Sequence, residues 1–243
     1  MTESAFSRLL KNQPFIRFWI ARVGSVTAGQ MLMVAVAWHM YDITSSAWDL
    51  GLVGLFQFVP ALLLTLPAGH MADRYHRGRI FALCLLLAVV ISVALVAATE
   101  MEVVTRELIL AISLVLGVAR AFQMPAQQAL TPLLVPADTR QTAVAMSSSG
   151  MQAAIICGPA LGGLLYAQGP AVVYGVCAAL MVVSMGFALA IRYRHVAVTL
   201  SATWESVMAG FTFVWQHKVL LGATSLDLFA VLLGGATALL PIY

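Results

Sequence analysis

Charge is what this chain has least of. Asp, Glu, Lys and Arg together supply 9% of its 243 residues, against 61% hydrophobic, and the mean hydropathy is +0.94. A soluble globular surface takes about a quarter of its residues as charged ones, so a soluble domain is excluded. Regular apolar–polar alternation in segments of about ten residues is also lacking, which excludes the strands of a membrane β-barrel. There is no Ser/His/Asp set, no metal-ligand spacing and no phosphate-cradling loop, so nothing in the chain reads as an enzyme. The three cysteines, Cys84, Cys157 and Cys177, lie inside apolar runs without pairing or ligand spacing and read as small core residues. A cleavable leader is not indicated, because the first apolar run is too long for a signal core and ends in no small-residue cleavage pattern.

Long hydrophobic runs are what the chain does have. A helix needs roughly 20 apolar residues to cross the hydrocarbon, and only helices and closed barrels satisfy their backbones there. Six such runs are expected at Ile16–Tyr41, Leu52–Ala72, Ile80–Ala98, Leu108–Ala129, Ala143–Ala167 and Ala171–Ile191, with a seventh from Val219 still open at Tyr243. The sequence therefore predicts an all-α membrane protein: a six-span bundle over 1–191, a linker over 192–218, and the first span of a further bundle over 219–243. Within the linker, Trp204, Val207, Met208, Phe211, Val214 and Trp215 recur at helical spacing. That periodicity predicts an amphipathic helix, capped by Thr203, of the kind that lies among lipid headgroups.

The few charges are sorted by side. If the spans alternate, Arg8, Lys11, Arg17, Arg74, Arg77, Arg79, Arg140, Arg192, Arg194 and Lys218 all fall on one face of the membrane. The other face has only Arg106, beside Glu100, Glu102 and Glu107, and the turn around Asp42–Asp49. Positive charge collects in cytoplasmic loops, which places the N-terminus and the linker in the cytoplasm. The net charge of +3 is thus a topology signal and not a nucleic-acid footprint.

Five places carry candidate mechanism. Gly69, His70, Met71, Ala72, Asp73, Arg74, Tyr75, His76, Arg77, Gly78 and Arg79 form a turn between the second and third spans. A carboxylate and three arginines at a membrane exit can hydrogen-bond neighbouring helix ends and hold a closed state, and Gly69 leaves room for another backbone. In the fourth span Arg120 lies about twelve residues from one end, roughly 18 Å at 1.5 Å per residue, near the midplane. Ser113, Gln123 and Gln127 stand seven before, three after and seven after it, on the same helix face. A polar stripe at that depth faces protein or a water-filled cavity. Gly150, Ala154, Gly158 and Gly162 give the fifth span a small residue at every fourth place, with Pro159 and Gly163 adjoining, a face suited to close helix approach. Arg22, in the first span, either snorkels to the near surface or lines the cavity. Asp227, in the seventh, suits a proton carrier or a buried ion pair equally.

The turn after the second span resembles the signature of the major facilitator superfamily, Gly-x-Leu-Ala-Asp-Arg-x-Gly-Arg-Lys. Gly69, Ala72, Asp73, Arg74 and Arg77 match it, while Met71 replaces the Leu and His76 the second Gly. Arg120-Ala-Phe-Gln123 is similar to the family's Arg-x-x-Gln-Gly motif, with Met124 in place of the Gly. Gly158-Pro159-Ala-Leu-Gly162-Gly163 resembles the Gly-Pro-x-x-Gly-Gly motif of its proton-coupled exporters. A closer likeness, to the branch containing enterobactin and macrolide exporters, rests on the Arg22 segment, the Gly158 motif and Asp227–Pro241. The resemblance implies twelve spans in two six-helix halves, so that the partner of this bundle is a missing C-terminal half. It further implies a multi-pass protein of the cytoplasmic membrane that exports a small molecule, a drug or siderophore, in exchange for protons and without another cofactor. Asp73 and Arg74 would gate. An importer on the same fold and a truncated, non-transporting membrane fragment are the alternatives.

The charge asymmetry generates a direct expectation. With the native cysteines removed, membrane-impermeant thiol labelling of intact cells modifies Glu102→Cys and spares Ser201→Cys. Labelling of Ser201→Cys alone overturns the orientation.

Overall fold

The structure, a computed structural model, describes residues 5–191, 215–218, 220–222 and 225–226. The chain divides into two compact units, Met1–Ala197 and Val198–Tyr243, and the first holds every element named below. Most of the expected linker helix and seventh span, Asp227 included, lies outside the described residues.

A short helix α1 (Ala5–Lys11) leads into six long ones: α2 (Gln13–Thr44), α3 (Ala47–Arg74), α4 (Arg77–Glu100), α5 (Arg106–Leu130), α6 (Arg140–Tyr166) and α7 (Pro170–Leu189). All six are long and apolar enough to cross a membrane. The first four contain their expected spans and extend them by a few residues, while α6 and α7 begin before theirs and stop one and two residues short, at Tyr166 and Leu189, because capping groups rather than hydrophobicity set helix ends. Asn12 caps α2 by accepting from the Phe15 amide at 3.3 Å, and Ser46 and Thr105 cap α3 and α5 through the Asp49 and Leu108 amides. Gly169, at φ +118°, makes the turn from α6 into α7; that backbone conformation is open to glycine and strained for other residues. Pro170 then opens α7, where its missing N–H costs nothing.

The short connections make consecutive helices antiparallel. One end of the bundle collects the basic turns around Arg74–Arg79 and Arg140 and is called here the basic end. The opposite end, with the turns at 45–46, 101–105 and 167–169, is the hairpin end. Within the bundle α3 packs on α5, α4 on α7, α2 on α6 and on α7, and α4 on α5. Exchanging α2 with α5, α3 with α6 and α4 with α7 maps this set of pairings onto itself. That is the arrangement of two three-helix repeats related by a pseudo-two-fold axis.

Apolar cores fill both ends. Phe15, Phe18, Phe81, Leu85 and Leu130 pack toward the basic end, and Met31, Leu32, Met40, Leu95, Ile109 and Tyr174 toward the hairpin end. Outward positions are apolar as well: Leu63 is 69% and Leu164 71% exposed. Lipid tails give two helices no hydrophobic reason to associate, so backbone approach through small residues takes over. Gly158 and Gly162 lie against the Thr27–Met31 stretch of α2, where an added Cβ would come within 2.6 Å of the Gln30 side chain and 3.0 Å of the Met31 backbone. Gly150 meets Val23 and Trp19 in the same way, and Ala154 is buried between them. Gly117 does the equivalent for α5 against α3, where an added Cβ would come within 3.0 Å of the Gln57 backbone.

Two expectations need correction. Cys84 and Cys177 are buried but Cys157 is exposed, since it lies one residue off the glycine face of α6 and points away from α2. Gly163 is not part of the tight seam; a Cβ there meets only the Trp38 ring at 3.7 Å, an ordinary contact.

Gly117→Ala is therefore expected to destabilise the bundle by about 1–3 kcal/mol through overpacking against a backbone that has no rotamer to yield. Gly163→Ala leaves stability nearly unchanged. Thermal unfolding of the two detergent-solubilised variants checks this, and equal melting temperatures would contradict it.

Candidate functional site: a polar cavity between the helices

The polar stripe of α5 opens onto a cavity of about 140 Å³. Arg120, Gln123 and Gln127 line it together with Gln128. From α2 come Arg22, Ser25, Val26, Gly29, Gln30 and Met33, residues spaced by three and four along one face of the helix. α3 contributes Gln57, α4 Leu85 and Ala88, α6 Met151 and α7 Met181. The wall is thus two guanidiniums, five primary amides and soft thioethers on an aliphatic ground. Gln127 Nε2 donates to Ser25 Oγ at 3.3 Å, and Ser25 Oγ donates to the Arg22 carbonyl at 2.9 Å. This chain of bonds fixes α5 against α2 at the cavity floor.

Arg22 does not snorkel. It is 9% exposed, donates from Nη1 to Thr131 Oγ1 at 3.3 Å and approaches Met151 Sδ from Nη2 at 3.4 Å. Its guanidinium carbon sits 5.9 Å from the Phe18 ring centroid, and its Nε has no hydrogen-bond partner. A charge inside a membrane costs at least about 2.5–3.5 kcal/mol on insertion scales, and a thioether is a weak acceptor. Arg120 is exposed on the cavity side of α5. Ser113, expected on the same stripe, is instead fully buried without a hydrogen-bond partner and does not reach the cavity. Two turns of helix separate it from Arg120, and the cavity does not extend that far toward the hairpin end.

At the basic end Arg77 bridges two helix ends. It donates from Nε to the Ala72 carbonyl at 2.9 Å and from Nη1 to the Ala129 carbonyl at 3.3 Å, which joins the C-termini of α3 and α5. Both carbonyls belong to last turns that lack intrahelical partners, where a cation is also favoured by the helix dipole. Asp73 lies in the last turn of α3, with its side chain outside the described residues, and Arg74 is exposed. The space beside Gly69 is open: nothing outside its own helix lies within 4 Å of where its Cβ would be. Asn12 Nδ2 and Arg17 Nη1 donate in the same manner to the Leu134 and Ala190 carbonyls at 2.9 and 3.0 Å.

At the hairpin end Arg106 Nε donates to Asp49 Oδ1 at 2.7 Å, tying α5 to α3. Tyr166 donates to Asp42 at 2.6 Å, tying α6 to α2. Below them His39 Nδ1 and the Tyr174 hydroxyl share a buried hydrogen bond of 3.0 Å.

This architecture has relatives. Residues 3–243 match the family described as transmembrane secretion effector. The chain belongs to that family. It is accordingly a multi-pass membrane protein of the major facilitator superfamily. Macrolide efflux protein A of Streptococcus pyogenes is 28% identical over 153 residues, 63% of this chain and 38% of that protein. The staphyloferrin A transporter of Staphylococcus aureus is 25% identical over 154 residues, 63% of this chain and 36% of its own length. The chain thus matches well under half the length of either relative.

For a secretion effector bundle, the sequence placed Arg22, Arg120, Gln123 and Gln127 as candidates, and the fold brings all four to one cavity. It missed Gln30, Gln57 and Gln128 on the same wall, and the Asp49–Arg106 bridge. Gln57 carried a signal, as the lone amide in the apolar stretch from Leu50 to Leu64.

Replacing Arg77 by Ala leaves the Ala72 and Ala129 carbonyls without that donor. Charge-assisted bonds contribute about 1.5–3 kcal/mol, so the apparent melting temperature should fall by several degrees. Arg79→Ala, on the exposed side of α4, should change stability by about 0.5 kcal/mol or less. Equal shifts in the two variants would remove the bridging role.

Proposed function

We propose that the chain is the N-terminal half of a secondary active transporter, and not an enzyme, that exports a small molecule from the cytoplasm in exchange for protons. The observation that carries this reading is the cavity itself. Two arginines and five glutamines converge inside helices whose outer faces are apolar, and intramembrane polar groups of that density mark a substrate or ion path. The relatives, a macrolide efflux protein and a staphyloferrin A transporter by name, support transport, and the first supports export.

In this reading the basic end faces the cytoplasm of a cell whose inner membrane holds the protein. Arg77 locks α3 to α5 there, and Asp73 and Arg74 open and close that end against the second six-span half. Gly150, Gly158, Pro159, Gly162 and Gly163 mark the exporter-type fifth span. Asp227 supplies the carboxylate that takes up and releases the proton as its surroundings switch between wet and dry. No residue is assigned to hold a metal or organic cofactor.

The test is transport by the full-length protein in inverted membrane vesicles with an imposed proton gradient. Substrate accumulation should follow the gradient and collapse with an uncoupler, and Asp73→Asn should reduce the rate at unchanged protein abundance. Accumulation that ignores both the gradient and the uncoupler overturns proton coupling, and a fully active Asp73→Asn variant removes the gate.

A further inference from the structure

The cavity wall sets two cations against no counter-charge. Arg22 and Arg120 line it, and among the described residues no Asp or Glu side chain does. The ion pairs Arg8–Asp138 and Arg106 with Asp49 and Glu107 lie at the two ends of the bundle and involve neither cavity arginine. Arg22 is nine-tenths buried, and its Nε–H finds no acceptor. A guanidinium offers five donors in a planar fork that matches an oxyanion, yet here only one hydroxyl and one thioether answer it. A buried charge left in that condition destabilises a fold unless something else completes it.

The same wall is poorly suited to a cationic guest. Recognition of an organic cation uses a carboxylate or the face of an aromatic ring. The described lining has neither, since Phe18 packs behind Arg22 and does not reach the cavity. Two fixed positive charges in a low-dielectric enclosure would repel such a guest, and repulsion is as selective as attraction.

We propose that this cavity selects organic oxyanions, small molecules bearing one or more carboxylates, and rejects lipophilic cations. Arg22 and Arg120 are the charge partners, and the amides of Gln57 and Gln123 are further donors to the bound anion. The proposal rests on the reading of the cavity as the substrate path, and it adds the sign of the substrate's charge.

Purified full-length protein reconstituted in liposomes provides the test, with carboxyfluorescein as the anionic probe and tetraphenylphosphonium as the cationic one. Saturable binding of carboxyfluorescein is expected, weakened tenfold or more by Arg22→Gln and by Arg120→Gln, and changed less than twofold by Arg140→Gln outside the cavity. Arg22→Lys, which keeps the charge, should recover part of the affinity, and a thermal melt of each variant separates lost binding from lost fold. Carboxyfluorescein binding that is absent in the wild type, or indifferent to both arginines in folded protein, overturns the proposal. Preferential binding of tetraphenylphosphonium does the same. Uptake of the dye with no response to a proton gradient would instead remove proton coupling and leave the substrate class standing.

Discussion

Hydrocarbon cannot hydrogen-bond, so every backbone amide and every charged side chain within the six long helices has to be satisfied by the protein itself. The helices answer for their interiors, and the ends need other donors. Asn12, Arg17 and Arg77 reach across to carbonyls at or just beyond the ends of other helices, and Ser46 and Thr105 hold first turns. The same requirement drives the polar side chains of α2, α3 and α5 inward, away from lipid. The cavity is the place where those groups converge, and so follows from the solvent as much as from any function.

The bundle meets the packing half of the problem twice over. α2 against α6 and α5 against α3 are equivalent under the exchange of the two three-helix repeats. Each pair is drawn together by glycine and pinned at the hairpin end by a polar bond, Tyr166 to Asp42 in one and Arg106 to Asp49 in the other. The chemistry differs, phenol in one and guanidinium in the other, but each bond ties the ends of the two helices that glycine brings together. The two arginines of the cavity come one from α2 and one from α5, the helices that the exchange interconverts.

Much of this was legible in the sequence wherever a signal repeats. Six spans follow from uninterrupted apolar runs, and the placement of Gln123 and Gln127 with Arg120 follows from helical spacing. The seam at Gly150, Gly158 and Gly162 announces itself by its four-residue period. What repeats nowhere stays hidden: Gly117 is a lone glycine among aliphatic residues, although a side chain there would run into the Gln57 backbone. Asp49 and Arg106 are 57 residues apart, and only the parallel placement of α3 and α5 brings their first turns together. Ser113 misled because helical phase says which side a residue faces and not how far along that side a cavity extends.

The glycine seams also have a mechanical consequence. Where side chains meet, one ridge can climb over the next by changing rotamers, and two helices can slide. A carbonyl resting on a glycine Cα has no such freedom, so α2 with α6, and α3 with α5, behave as stiff two-helix beams. Deformation is then confined to the lines between beams, where α4 and α7 run, because packed interfaces switch between discrete fits and do not stretch. The cavity is lined from both beams, so a shift of one beam against the other reshapes it while each beam keeps its own internal fit.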